Sequence, residues 1–128
     1  DVKMNQNKRD IDSFLPLTAA VFQILLALYE EEQHGYKIMK TVASNSGGKF
    51  TLRLGTLYGT IKRMLADGMI EEAGERPDPS LDDERRRYYK LTELGKKLVC
   101  AEAERLDILV ASARIKKLLP AYQTHRDT

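Results

Sequence analysis

The chain has 128 residues, with 21 Lys and Arg against 19 Asp and Glu and a formal net charge of +2, a length that suits one domain with a modest core. Its single cysteine, Cys100, excludes an intrachain disulfide and any metal cluster that needs several thiolates. No apolar run approaches the roughly 20 residues that span a bilayer, and the polar start from Asp1 lacks the apolar segment of a secretory signal, so a cytoplasmic protein is expected.

Charge is spread unevenly. Asp1 to Pro16 balances three cations against three acids; Leu17 to His34 carries −3; Gly35 to Asp67 carries +5, six cations against one acid; Gly68 to Leu91 carries −2 and Thr92 to Thr128 carries +2. A cationic stretch between neutral or acidic flanks is what a phosphate-binding face requires.

In chain order, residues 1–16 mix Asn, Gln, Lys and Asp with scattered apolar positions, end at Pro16, and are expected to form a loose or partly helical arm. Thr18 is a candidate N-cap for a first helix in which Leu17, Ala20, Val21, Ile24, Leu25 and Leu28 repeat at helical spacing. Glu30-Glu31-Glu32 oppose the helix macrodipole at its end, so they are expected to be solvated and to close it. Gln33-His34-Gly35-Tyr36 reads as a tight connection into a second helix, Tyr36 to about Ser46, with Tyr36, Ile38, Met39, Val42 and Ala43 available for packing. Ser46-Gly47-Gly48 stops it, because glycine supplies the left-handed conformation of a helix exit.

Lys49-Phe50-Thr51-Leu52-Arg53 leads into a third helix that turns Leu57, Ile61, Met64 and Leu65 inward and Thr56, Tyr58, Gly59, Lys62 and Arg63 outward, with Gly68 as its stop. Met69 to Ala73 and Arg87 to Leu91 predict two short strands joined by a polar loop containing Pro77, Pro79 and Asp82-Asp83, with disorder expected around Pro77 to Asp83 in the absence of DNA. Thr92 caps a last helix patterned by Leu94, Leu98, Val99, Ala101, Leu106, Leu109, Val110, Ala113 and Leu118 and ended by Pro120. From Thr92 to Leu119 it would run about 40 Å at 1.5 Å per residue, longer than a small body covers. The uncovered apolar length calls for a second copy of the chain across a two-fold interface.

The third helix carries short polar residues at its start and adjacent cations, Lys62 and Arg63, in its middle. Adjacent cations are common on exposed helices, but here they follow a helix and a glycine turn and precede the hairpin arginines Arg85, Arg86 and Arg87. That combination points to a winged helix-turn-helix: a recognition helix for the major groove and a basic hairpin for the flanking backbone. Lys49, Arg53, Thr56, Tyr58, Gly59, Lys62, Arg63 and the three hairpin arginines are the candidate DNA-binding residues, Gly55 and Gly59 allowing close backbone approach. Strand alternation sends neighbouring arginines to opposite faces, so at most two of the three contact DNA, and Asp82, Asp83 and Glu84 are expected to pair with them in its absence. Alternation also splits Tyr88 from Tyr89, one expected under the last helix and one outward.

Cys100 reads as a small apolar filler rather than a redox sensor, since only acids and apolar residues follow it closely in sequence. His34 reads as a structural hydrogen-bonding residue rather than half of a dyad with Cys100. There is no Walker loop, metal-ligand cluster, nucleotide fingerprint or serine elbow, so no enzyme, cofactor or metal is expected.

Over Leu17 to Leu119 the chain resembles PadR-type transcriptional regulators. The likeness rests on Ile24-Leu25-Leu26-Ala27-Leu28, His34-Gly35-Tyr36-Lys37-Ile38, Gly55-Thr56-Leu57-Tyr58 with Lys62-Arg63, Asp67-Gly68-Met69-Ile70, and Arg86-Arg87-Tyr88-Tyr89-Lys90-Leu91-Thr92-Glu93-Leu94-Gly95. A single helix after the last motif resembles the short-tailed branch, whose members dimerise through it. The resemblance implies a homodimeric repressor that binds a pseudo-palindromic operator and releases it when a small effector binds near the dimer interface. In one drug-responsive branch a tryptophan on the C-terminal helix stacks planar ligands; this chain has no Trp and places Leu106 there, leaving an apolar interface pocket at Leu106, Leu109 or Val110. The N-terminal arm and the acidic wing tip depart from the pattern.

The expected architecture is therefore mainly α with a small β-hairpin. It comprises an arm at 1–16, a winged helix-turn-helix at 17–91, a dimerisation helix at 92–119 and a flexible tail at 120–128. Leu98, Ala101, Leu106, Leu109, Val110 and Ala113 are the candidate dimer and effector residues, and the partners are operator DNA, a second copy and a small apolar effector. The alternative is a winged-helix protein-interaction adaptor that does not bind specific DNA.

Overall fold

A computed structural model describes residues 11–77 and 85–121. Four helices, α1 (Ala19–Leu28), α2 (Gly35–Asn45), α3 (Leu54–Ala66) and α4 (Glu93–Ile115), surround a three-stranded antiparallel sheet of β1 (Gln33–His34), β2 (Ile70–Pro77) and β3 (Arg85–Leu91) in the order β1-β3-β2. Residues 11–14 add a helical turn before α1, and Ile11 and Phe14 pack partly buried on the core. The arm is thus tied down at its end, while residues 1–10, 78–84 and 122–128, including most of the loop expected to be disordered and all but Pro120 and Ala121 of the tail expected to be flexible, lie outside the described residues.

Local chemistry sets the helix ends. Thr18 and Thr92 accept hydrogen bonds from Val21 N and Gly95 N, as N-capping hydroxyls do. His34 caps α2 by accepting from Lys37 N at 3.1 Å, which is the structural role expected of it. Three helices finish in the same closing motif, with the C″ amide bonded to the C3 carbonyl and the C′ amide to the C2 carbonyl. The left-handed C′ residue is Gly47 in α2 (φ 64°), Gly68 in α3 (φ 77°) and Lys117 in α4 (φ 63°). In α4 the bonds are Leu118 N to Ala113 O and Lys117 N to Arg114 O, both 2.9 Å. The last helix therefore stops at Ile115, short of the expected Leu119, because its own C-terminal turn closes on Lys117 before Pro120 is reached.

Two further expectations are corrected. The sheet has a third strand: Gln33 and His34 pair with Tyr89 and Tyr88, two residues being too few to leave an alternation in the sequence. The hairpin strands also run longer than Met69–Ala73 and Arg87–Leu91. A bulge between Glu72 and Glu75 inserts one extra residue on β2, where Gly74 holds φ 94°, and pairing continues to Pro77 opposite Arg85.

The core is drawn from every helix and both long strands. Ile24, Leu25, Ile38, Val42, Leu57 and Leu98 are fully buried, each such large side chain contributing about 1.5–3 kcal/mol. The amphipathic stripe of α3 falls as expected, except that Leu65 is only partly buried. Gly95, on α4, faces the start of β2 so closely that a Cβ there would stand 2.1 Å from Met69 O.

Candidate nucleic-acid interface

Helix α3 is held from behind by Leu57, Ile61 and Met64, and its outer surface is left open. Thr56, Tyr58, Gly59, Lys62 and Arg63 are all exposed, as are Lys49 and Arg53 in the turn before it. That turn is tied by Ser46, whose hydroxyl accepts from Phe50 N at 2.9 Å and donates to Ala43 O at 3.1 Å, and by the buried Leu52. Unlike α1, α2 and α4, α3 has no side-chain cap: Arg53 stands at the N-cap without a capping hydrogen bond. The first amides of α3 therefore remain available to an anion, at the positive end of the helix dipole. Among the described residues, Lys49, Arg53, Lys62 and Arg63 take part in no ion pair, so their charge is not neutralised internally.

The hairpin distributes its cations differently. Arg85 and Arg87 are exposed on one face of β3 and Arg86 is half-buried on the other, as strand alternation requires. The bulge puts Glu72 and Glu75 on the Arg87 face, and the guanidinium meets them at 3.4 and 3.6 Å. The acids holding Arg87 are thus β2 residues; the expected partners Asp82, Asp83 and Glu84 lie outside the described residues. Arg85 donates to Glu75 O at 2.7 Å. Tyr89 is buried on the Arg87 face, and burial raises its phenol pKa against the opposing pull of Arg87. Tyr88 is half-buried: it meets the His34 ring edge-on with centroids 5.4 Å apart, and the Arg76 guanidinium stacks on it at 3.8 Å.

Helix α4 divides into two halves. Leu98 and Val99 are buried in the chain's own core, so Leu98, expected at a dimer interface, is already consumed within one chain. Ala101, Leu106 and Ala113 are half-exposed, while Leu109 is 54% and Val110 37% exposed, in company with Ile108 and Ile115. Leu106 lines a cleft of about 420 Å³ between α1 and α4 with Leu17, Phe22, Leu26, Glu102 and Arg105. Glu102 is 1% exposed, accepts from Leu17 N at 2.8 Å and pairs with Arg105. These contacts hold its carboxyl below the ordinary range, the Arg105 hydrogen bond being the largest cause. Cys100, expected as a filler, is exposed.

Sequence reasoning also misplaced Tyr36. Expected to pack, it is 46% exposed, because the first turn of α2 already buries Gly35 and Ile38. Arg76, never singled out, lies directly across the hairpin from Arg86; no local pattern marks it, since the bulge decides its face.

The model of the transcriptional regulator PadR-like family matches residues 24–101, from α1 through the first turns of α4. The chain belongs to the PadR-like family of transcriptional regulators. Its winged-helix fold is shared with a PadR family transcription regulator of Clostridium difficile, at 24% identity and a TM-score of 0.63 over 76% of this chain and 96% of that one. It is shared also with Bacillus subtilis PadR, solved in complex with operator DNA, at 20% identity and a TM-score of 0.57 over 66% of this chain and 46% of that one. A Lysinibacillus sphaericus protein named "Uncharacterized protein X" is 32% identical over 73 residues, 57% of this chain, and the chain spans 64% of that relative's length. The PadR-like family and these structural neighbours are regulators of transcription rather than enzymes. Among the described residues, no helix is long and apolar enough to cross a membrane.

Proposed function

We propose that this PadR-like chain is a cytoplasmic, effector-responsive repressor that binds double-stranded operator DNA as a homodimer. The observation that carries the reading is α3: an uncapped N-terminus and an exposed face whose cations have no carboxylate partner among the described residues. Thr56, Tyr58 and Gly59 stand where base edges or phosphates would be met, Lys62 and Arg63 supply charge deeper along the helix, and Lys49 and Arg53 flank its entry. Arg85 and Arg87 would follow the flanking backbone after Arg87 exchanges Glu72 and Glu75 for phosphate.

Dimerisation would use the outer half of α4, where Ile108, Leu109 and Val110 form an exposed apolar stretch. A two-fold pair would set two α3 helices into successive major-groove half-sites about 34–36 Å apart. The cleft at Leu106 offers an apolar effector a place beside that interface. An effector could change DNA affinity only by its differential affinity for two dimer geometries.

Selection of bound fragments from genomic DNA, followed by gel-shift titration, tests the reading. Salt-sensitive, sequence-selective binding that Lys62→Ala/Arg63→Ala removes while the thermal melt is unchanged supports it. Absence of DNA binding at low salt overturns it in favour of the adaptor.

A further inference from the structure

We propose that Gly35 is a positioning residue for DNA binding: lacking a side chain, it lets the Tyr58 phenol lie across the first turn of α2 with its hydroxyl held for a phosphodiester oxygen. This rests on the reading of α3 above. Gly35 is the buried first residue of α2. A Cβ built there would stand 2.7 Å from the Tyr58 hydroxyl oxygen, 2.9 Å from Cζ and 3.1 Å from Cε1. Tyr58 itself is 41% exposed, so its ring is gripped along one edge and open along the other. The tip of the side chain thus leans off α3 towards α2, and in a helix-turn-helix the helix before the recognition helix crosses the DNA backbone. A hydroxyl so placed meets a phosphate rather than a base edge.

Backbone conformation does not call for glycine at this position. Gly35 holds no positive φ, and glycine is a poorer helix former than alanine. What occupies the space of a Cβ is the phenol, since the three nearest atoms all belong to Tyr58. The platform beneath it is fixed on both sides: Gln33 and His34 pair with Tyr89 and Tyr88 of β3, and His34 caps α2 at Lys37 N, 3.1 Å away. Tyr58 also comes near β3, where burial is the main cause of the raised Tyr89 pKa and the Tyr58 phenol adds to it. An added Cβ would therefore displace the end of an exposed side chain, whereas at Gly95 it meets backbone. To restore contact at about 3.4 Å the phenol must retreat by about 0.7 Å. Along a hydroxyl–phosphate hydrogen bond, that is a stretch from about 2.7 Å to about 3.4 Å, past the range in which such bonds hold.

The test is a double-mutant cycle of Gly35→Ala and Tyr58→Phe in the full chain. Binding is read by fluorescence-anisotropy titration of a duplex selected by the parent protein, with thermal melting of each variant. Gly35→Ala is expected to melt within about 3 °C of the parent or above it, since only a side-chain end gives way and alanine favours the helix. It is expected to weaken binding at least about fivefold, one hydrogen bond being lost in each half-site. Tyr58→Phe, which removes the hydroxyl and keeps the ring, is expected to weaken it by a similar factor. The two together should bind within about twofold of Tyr58→Phe alone, because the hydroxyl that Gly35 positions is gone. A Cβ that acted by shifting α2 against α3 would still meet the phenyl ring, so losses that add overturn the positioning role. Parental binding by either single variant overturns it too, as does a Gly35→Ala chain that no longer folds, because the strain would then have fallen on the backbone. In each of these cases, loss of binding by Lys62→Ala/Arg63→Ala leaves the α3 reading intact. A parent that binds no DNA at low salt overturns both.

Discussion

Gly95→Ala isolates the close approach between α4 and β2, and its sign is decided by the structure. In an open helix the change would favour folding by about 1 kcal/mol through helix propensity. Here the new Cβ would stand 2.1 Å from Met69 O and 3.2 Å from Met69 C, where ordinary contact begins at about 3.4 Å. The obstacle is backbone, and it is doubly held: Met69 O accepts from Thr92 N at 3.2 Å, and the Thr92 hydroxyl donates to Gly68 O at 2.5 Å. Separating α4 from β2 by about 1 Å would cost about 1–3 kcal/mol of overpacking and weaken a hydrogen bond worth about 1 kcal/mol. Against the propensity gain, the net loss is about 1–3 kcal/mol, or a fall in Tm of roughly 4–12 °C for a domain of this size. Thermal and urea unfolding of parent and variant measure it directly. A Gly95→Ala protein as stable as the parent, or more so, would refute the argument.

Gly59→Ala is the opposite case: beyond the adjoining residues and the helix's own backbone, nothing lies within 4 Å of the added carbon, so the variant should gain about 0.5–1 kcal/mol in the same melts while losing operator affinity in a gel shift if the α3 backbone approaches DNA there. Glu102 has its folded pKa lowered by Arg105 and the Leu17 amide, so its contribution is present at neutral pH and is lost as pH falls through the folded value. Glu102→Gln should therefore cost about 1 kcal/mol near pH 7, with its Tm deficit narrowing on acidification towards pH 3; a deficit independent of pH would argue against the ionised contact. Leu109→Asp places a charge on the outer half of α4 at a side chain 54% exposed in one chain. It should leave the fold intact and raise the dimer dissociation constant at least about a hundredfold, and an unchanged sedimentation coefficient at micromolar protein would place the dimer contact elsewhere.

Sequence alone determined what depends on neighbours along the chain. The caps at Thr18 and Thr92, the glycine exits at Gly47 and Gly68, the inward stripe of α3 and the division of Arg85 and Arg87 from Arg86 all follow from backbone preference and side-chain period. The outward set on α3 was legible for the same reason, because one helical period fixes which residues share a face. Tertiary structure decided what depends on distant partners. Gln33 and His34 become a strand only because β3 offers its free edge, and Tyr36 turns outward because Gly35 and Ile38 take the inner positions. Leu98 serves its own core rather than a second chain, and Glu102 is buried because the Leu17 amide and Arg105 satisfy it there. Gly95 is needed for want of space beside Met69 O rather than for an unusual φ. Hydrogen bonds and steric exclusion between residues far apart in sequence carry no local period, so only the folded chain brings them into view.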